Sequence, residues 1–173
     1  MKTLNLLGFD FGASSGRAML GTLENGRLEI REVHRFSNDP VTLCGRFVWD
    51  LPRMMYEMKQ ALLKLSRTDV QVDAIGIDTW GVDYGLLDKN GRLLGLPVHD
   101  RDERTAGMRE KVRLIIPDAE LFARTGLGYN SFNTLYQLYA MRQEGDPTLD
   151  AAEHLLFMPD LLAWLLTGAK GTE

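Results

Sequence analysis

The 173-residue chain is long enough for one ordinary domain and short for two. Folding at this size hides roughly 70% of the unfolded surface, so a real core is within reach. Hydrophobic residues at 45% and charged residues at 25% exclude a disordered chain, and a net charge of −4 leaves no electrostatic footprint for nucleic acid or an anionic membrane. The single cysteine, Cys44, excludes an internal disulfide, and His34, His99 and His154 are too scattered for metal-ligand spacing. The opening MKTLNLLGFDFG meets Asp10 too soon for a signal peptide, and no run approaches the ~20 apolar residues of a membrane span. A cytoplasmic protein is expected.

TLNLLGFDF reads as a buried strand. RAMLGTLENGRLEIREVHRF reads as two more strands joined at Asn25-Gly26, because both turn residues tolerate positive φ. The chain thus opens with three consecutive, antiparallel strands. WDLPRMMYEMKQALLKLS switches to helical period, with Met54, Met55, Met58, Leu62 and Leu65 on one face, Asp50 as N-cap and Pro52 in the first turn. VDAIGIDTW follows as a buried strand, and VDYGLLDKNGRLLG as a strand and turn. Beyond Pro97 the pattern turns helical in DERTAGMREKVRLI, DAELFARTG and FNTLYQLYAMRQEG. HLLFMPDLLAWLLTG reads as a short strand entering a helix, with Pro159 near its start and Gly168 past its end. The order supports an α/β domain.

The turn GFDFGASSGR invites three motif readings, and each fails. A Walker A loop needs a lysine and a following helix, whereas a strand follows here. The Asp-Phe-Gly triplet of protein kinases lacks its H-R-D partner, and a dinucleotide fingerprint also requires a helix. What remains is a hairpin turn with an acid at its entry. Asp10 is costly to bury unpaired, and is tolerated at a solvent-open strand end or beside a metal. Gly12 and Gly16 allow close backbone approach to an anion, Ser14 and Ser15 add hydroxyls, and Arg17 adds a cation suited to phosphate. A plain β-turn with Asp10 as local acceptor accounts for the same residues.

GFDFGASSGR resembles the first phosphate loop of the FGGY family of sugar kinases, within the actin-like ATPase superfamily. Four further blocks resemble the family in the same order: AIGIDTWGVDYGLLD (74–88), RDERT (101–105), FNTLYQL (132–138) and LLFMPDLLAWLLTG (155–168). The resemblance runs over essentially the whole chain. It implies an α/β, ribonuclease-H-like (actin-like ATPase) domain, with a mixed sheet opening on the three antiparallel strands and helices around it. It implies ATP and Mg²⁺ as cofactors, with Asp10 holding the metal and Gly12, Ala13, Ser14, Ser15, Gly16 and Arg17 cradling the phosphates. Trp80, Gly81 and Asp83 would line a sugar pocket supported by Asp102 and Arg104, with Asn133 nearby.

Each of these residues also has an ordinary reading. Trp80 reads as core, Asp78 and Asp83 as turn acceptors, Asp102 and Arg104 as the first turn of a helix, and Asn133 as a helix-capping residue.

The activity implied is phosphorylation of L-rhamnulose to L-rhamnulose 1-phosphate. Another ketose or polyol such as L-fuculose, or a non-catalytic sugar- or nucleotide-binding module, is the alternative. Asp100 departs from the family, which often carries an aromatic residue there, and this puts the sugar rather than the reaction in question. The resemblance further implies that residues 1–173 are the N-terminal sugar-kinase domain, incomplete, with the general base and a second, ATP-binding domain downstream. Such a fragment is expected to lack turnover and to self-associate through exposed apolar surface. The expected partners are a ketose and ATP, with no nucleic acid and no membrane.

Overall fold

A computed structural model describes residues 3–172. The chain divides into two compact units. One comprises the segments up to Val41, Trp49–Gly81 and from Leu156 on; the other comprises Thr42–Val48 and Val82–Leu155.

The first unit is built on β1 (Leu4–Phe11), β2 (Ser15–Glu24) and β3 (Arg27–Ser37), consecutive antiparallel strands as the sequence predicts. The turn between β2 and β3 is the Asn25-Gly26 pair, at φ 51° and 76°. β6 (Ala74–Asp78) adds to the other side of β1 in parallel, giving the order β3-β2-β1-β6. The sheet is therefore mixed. Alternate residues Leu7, Phe9 and Phe11 of β1 point into the core, which leaves Asp10 on the opposite face.

Helix α1 (Leu51–Leu65) packs against β3. Its N-terminus is capped as expected, with Asp50 accepting from the Arg53 N–H at 3.0 Å. Met54, Met58 and Leu65 are buried, each worth about 1.5–3 kcal/mol, together with Leu51 and Ala61. The last helix of the chain, Met158–Thr167, lies against β6 and buries Met158, Leu161 and Leu162. Gly168 closes it at φ 74°, donating its N–H to the Trp164 carbonyl.

The second unit opens at Thr42, within β4 (Val41–Leu43), which with β5 (Arg46–Val48) forms a hairpin turning through Cys44 and Gly45 at φ 50° and 77°. β7 (Tyr84–Leu87) pairs with β8 (His154–Phe157). The helical stretch expected after Pro97 is interrupted. A single 3₁₀ turn (Glu103–Thr105) stops before Gly107, at φ 71°, and α2 (Met108–Arg113) starts after it. α3 (Asp118–Thr125), α4 (Thr134–Glu144) and a short α5 (Pro147–Ala151) follow, which makes the terminal helix α6. Met108, Val112, Tyr136 and Ala140 form a small core between α2 and α4.

Candidate functional site

At the C-terminal end of β1 the sheet carries a row of charge. Asp10 is in register with Arg17 of β2 on one side and Asp78 of β6 on the other, and Arg17 is in register with Arg35 of β3. Residues in register share a face, so two cations and two carboxylates line up across four strands. Arg35 is turned to Glu32, at 2.6 Å. Arg17 is not so engaged: its Nε stands 3.8 Å from Asp10 Oδ2, beyond hydrogen-bond distance, and is shielded from solvent with no acceptor. An orphaned guanidinium donor beside a half-exposed carboxylate suits a phosphate accompanied by a divalent cation, so the residues present fit Mg·ATP.

The turn beyond Asp10 is held from an unforeseen quarter. Gly12 N–H donates to the Ser15 carbonyl at 2.9 Å, while Asn38 grips the loop twice, through Nδ2 to the Gly12 carbonyl at 2.8 Å and through its own N–H to the Ser14 carbonyl at 3.1 Å. Asn38 is buried. Gly16 is also required by packing. A Cβ there would sit 2.2 Å from the Phe36 ring, so the glycine makes room for Phe36. Phe36 in turn packs edge-on against Phe11, at 5.5 Å between centroids. Ala13, Ser14 and Ser15 remain on the open rim of the turn.

Trp80 stacks on the buried Trp49 at 3.9 Å and is only half-buried itself. Beside Gly81 a Cβ would meet nothing within 4 Å, so the backbone there borders open space.

In the second unit the predicted residues fall into a buried network. Asp83 is wholly buried and accepts from Gln137 Nε2 at 2.9 Å and from the Asp100 N–H at 3.1 Å. It is therefore no exposed turn acceptor. Arg104 reaches the same Gln137 from the other side, Nη2 to Oε1 at 2.7 Å, while its Nε is buried without an acceptor. Asp102 caps the 3₁₀ turn through the Arg104 N–H at 3.0 Å, and its other oxygen accepts from the Phe47 N–H at 2.8 Å. Its carboxylate also pairs with Arg46, which bonds Glu144 as well. Asn133 holds the N-cap position of α4, its carbonyl accepting from the Tyr136 N–H at 2.9 Å, but its side chain makes no capping bond; its Nδ2 donates to the Gly128 carbonyl at 3.2 Å. Burial raises the Tyr84 phenol above its ordinary pKa, with Arg104 working in the opposite direction.

His99 and Asp100 adjoin this network. The Arg101 N–H donates to His99 Nδ1 at 3.0 Å, which needs a lone pair on that nitrogen, and burial lowers the imidazole pKa, with the Asp100 charge opposing. Asp100 Oδ1 lies 2.7 Å from the same Nδ1, so a proton taken up there would bridge the two. Asp83, His99 and Asp100 bring ligand-type atoms within 4.8 Å of one another.

The structure thus joins Asp10 with Arg17, and Asp83 with Arg104, and it adds Asn38 and Gln137 to the residues that hold them. Asn38 lies outside every block that resembles the family, in the polar stretch SNDP, whereas Gln137 lies within FNTLYQL but in a helix, where an amide reads as surface.

Residues 5–173 match the model of the N-terminal domain of the FGGY family of carbohydrate kinases. The chain belongs to this family. Along its whole length it is 40% identical to a rhamnulokinase of Klebsiella pneumoniae and 41% identical to one of Mannheimia succiniciproducens, covering 36% of each. The chain thus spans about a third of the curated relatives it matches. In fold it is similar to a gluconate kinase of Lactobacillus acidophilus, with a TM-score of 0.83 at 15% identity over 98% of this chain and 34% of that one. The expected actin-like kinase fold is borne out. Among the described residues no helix is long and apolar enough to cross a membrane.

Proposed function

We propose that this chain supplies the phosphate-binding turn and one wall of the sugar pocket of an ATP-dependent kinase that converts L-rhamnulose to L-rhamnulose 1-phosphate. The observation that carries the reading is the end-to-end similarity to proteins named rhamnulokinase, at 40% identity. The turn supports it, with an orphaned Arg17 donor beside Asp10.

In this reading Asp10 holds Mg²⁺, and Arg17 with the turn from Gly12 to Gly16 receives the terminal phosphates. When bound, Mg²⁺ neutralises charge on the phosphates and positions them. Asn38 keeps the turn in the shape that accepts them. Trp80 offers an apolar face to the sugar, and the open space beside Gly81 admits it. Asp83 and Arg104 stiffen the wall from within, together with Asp102, while Asn133 sets the loop ahead of α4. No residue here is assigned the general base. The protein works in the cytoplasm on a ketose and ATP.

A second reading keeps the chemistry and changes the sugar. Asp100 puts a carboxylate, 2.7 Å from His99 Nδ1, where the family often places an aromatic residue, which favours another ketose such as L-fuculose. A coupled ADP-release assay on the complete gene product, across L-rhamnulose, L-fuculose, L-xylulose, D-ribulose and glycerol, separates the two. Turnover confined to L-rhamnulose supports the first reading, preference for another sugar the second, and silence with every sugar rejects both.

A further inference from the structure

Val82 is a β-branched residue at φ 72°, in the left-handed region that such side chains rarely enter. It stands between Gly81 and Asp83, in the segment assigned above to the sugar wall. Backbone in such a state persists only where its surroundings over-determine it, so the question is what holds this peptide.

Two side chains of α4 converge on the Val82 carbonyl: the Thr134 hydroxyl donates to it at 2.8 Å and Gln137 Nε2 at 3.3 Å. The same Gln137 amide donates to Asp83 Oδ1 at 2.9 Å and to the Phe132 carbonyl at 2.9 Å, and its oxygen accepts from Arg104 at 2.7 Å. Gln137 is 1% exposed, so these contacts are made without competition from water. The far oxygen of Asp83 is tied to the Asp100 N–H, which fixes the residue after Val82 as well. The strained peptide is thus gripped at its own carbonyl and at its neighbour.

We infer that Gln137 and Thr134 are positioning residues for sugar binding, which act by holding Val82 in its left-handed conformation and so setting the direction of the Gly81–Asp83 backbone. The inference rests on the sugar-kinase reading. Neither side chain needs to touch the sugar. Loss of either donor releases a valine that prefers negative φ, and the backbone turns with it. Glycine at position 82 accepts positive φ without penalty, so it substitutes in part for the grip.

Steady-state kinetics on the complete gene product test this with Gln137→Leu and with the milder Thr134→Val, each alone and combined with Val82→Gly. Gln137→Leu is expected to raise the sugar KM about tenfold and Thr134→Val severalfold, with the ATP KM unchanged, and Val82→Gly to recover a good part of each loss. An unchanged sugar KM in both single variants, or no recovery in either double variant, overturns the inference. A second measurement is independent of activity: the intraresidue amide-to-Hα NOE of Val82, strong at positive φ, is expected to weaken in both single variants. If it stays strong in both, the grip is not what holds Val82. If the wild-type protein phosphorylates no sugar, the kinase reading fails and the NOE still decides the clamp.

Discussion

The two polar regions of this molecule are built on opposite terms. At the end of β1, Asp10 and Arg17 are half-exposed, too far apart to bond, and one guanidinium N–H has no acceptor. Around Gln137 the amide and the Asp83 carboxylate are buried, and the amide is committed on every side. Arg104 Nε in the second region also lacks an acceptor, so exposure rather than the orphaned donor separates the two, and a half-exposed strand end is where we propose that a ligand binds. A saturated buried amide is a place where the chain itself is being held, since leaving any member unpaired would cost about 1–3 kcal/mol. A residue's chemical type does not distinguish these roles, for there is an aspartate and an arginine in each.

The contrast breaks most sharply at Asp10. Asp10→Asn is expected to lower turnover of the complete protein about 100-fold or more with the melting temperature almost unchanged, read by ADP release and a thermal melt. A large loss of stability instead would show Asp10 to belong with the saturated kind. Gly16→Ala should do the reverse. Its methyl group drives into the Phe36 ring and costs about 1–3 kcal/mol in a denaturant melt. Combining it with Phe36→Leu should return much of that stability, whereas a glycine needed for phosphate approach would gain nothing from the second change.

Asn38→Ala lies between the two. It frees the Gly12 carbonyl and loosens the turn, so about 1 kcal/mol of stability and a severalfold rise in the ATP KM are expected, with the sugar KM unmoved. The smallest effect belongs to His99. Its folded pKa lies below the ordinary value because it is buried, so the unfolded chain takes up the proton first as the pH falls. Stability should therefore decline below about pH 6.5 and level off once the folded imidazole also protonates. His99→Gln should flatten that slope in melts taken between about pH 7 and 5.

Much of the first unit is legible in residue order because its signals are local. Asn25-Gly26 announces its hairpin, Asp50 and Pro52 announce α1, and the period-2 pattern of β1 puts Asp10 on the face away from Phe9 and Phe11. The second unit is less so. Cys44 adopts positive φ without being a turn residue by type, so the hairpin of β4 and β5 goes unannounced. Gly107 splits what reads as one helix, because a glycine inside a helical pattern does not say whether the chain continues or breaks.

The site divides in the same way. The proposed phosphate turn is a contiguous stretch, so its residues can be named from the sequence. Asn38 and Gln137 act 26 and 54 positions away from the groups they hold, and such pairings are settled only when the chain folds.

The close approach of Phe36 to Gly16 has a consequence for how this turn can diversify. Because the Phe36 ring occupies the space a side chain would need, positions 16 and 36 constrain each other although they lie on different strands. A larger residue should become established at 16 only in lineages where 36 has first become small. The third strand, which touches no proposed ligand, thereby limits which residues this turn can carry.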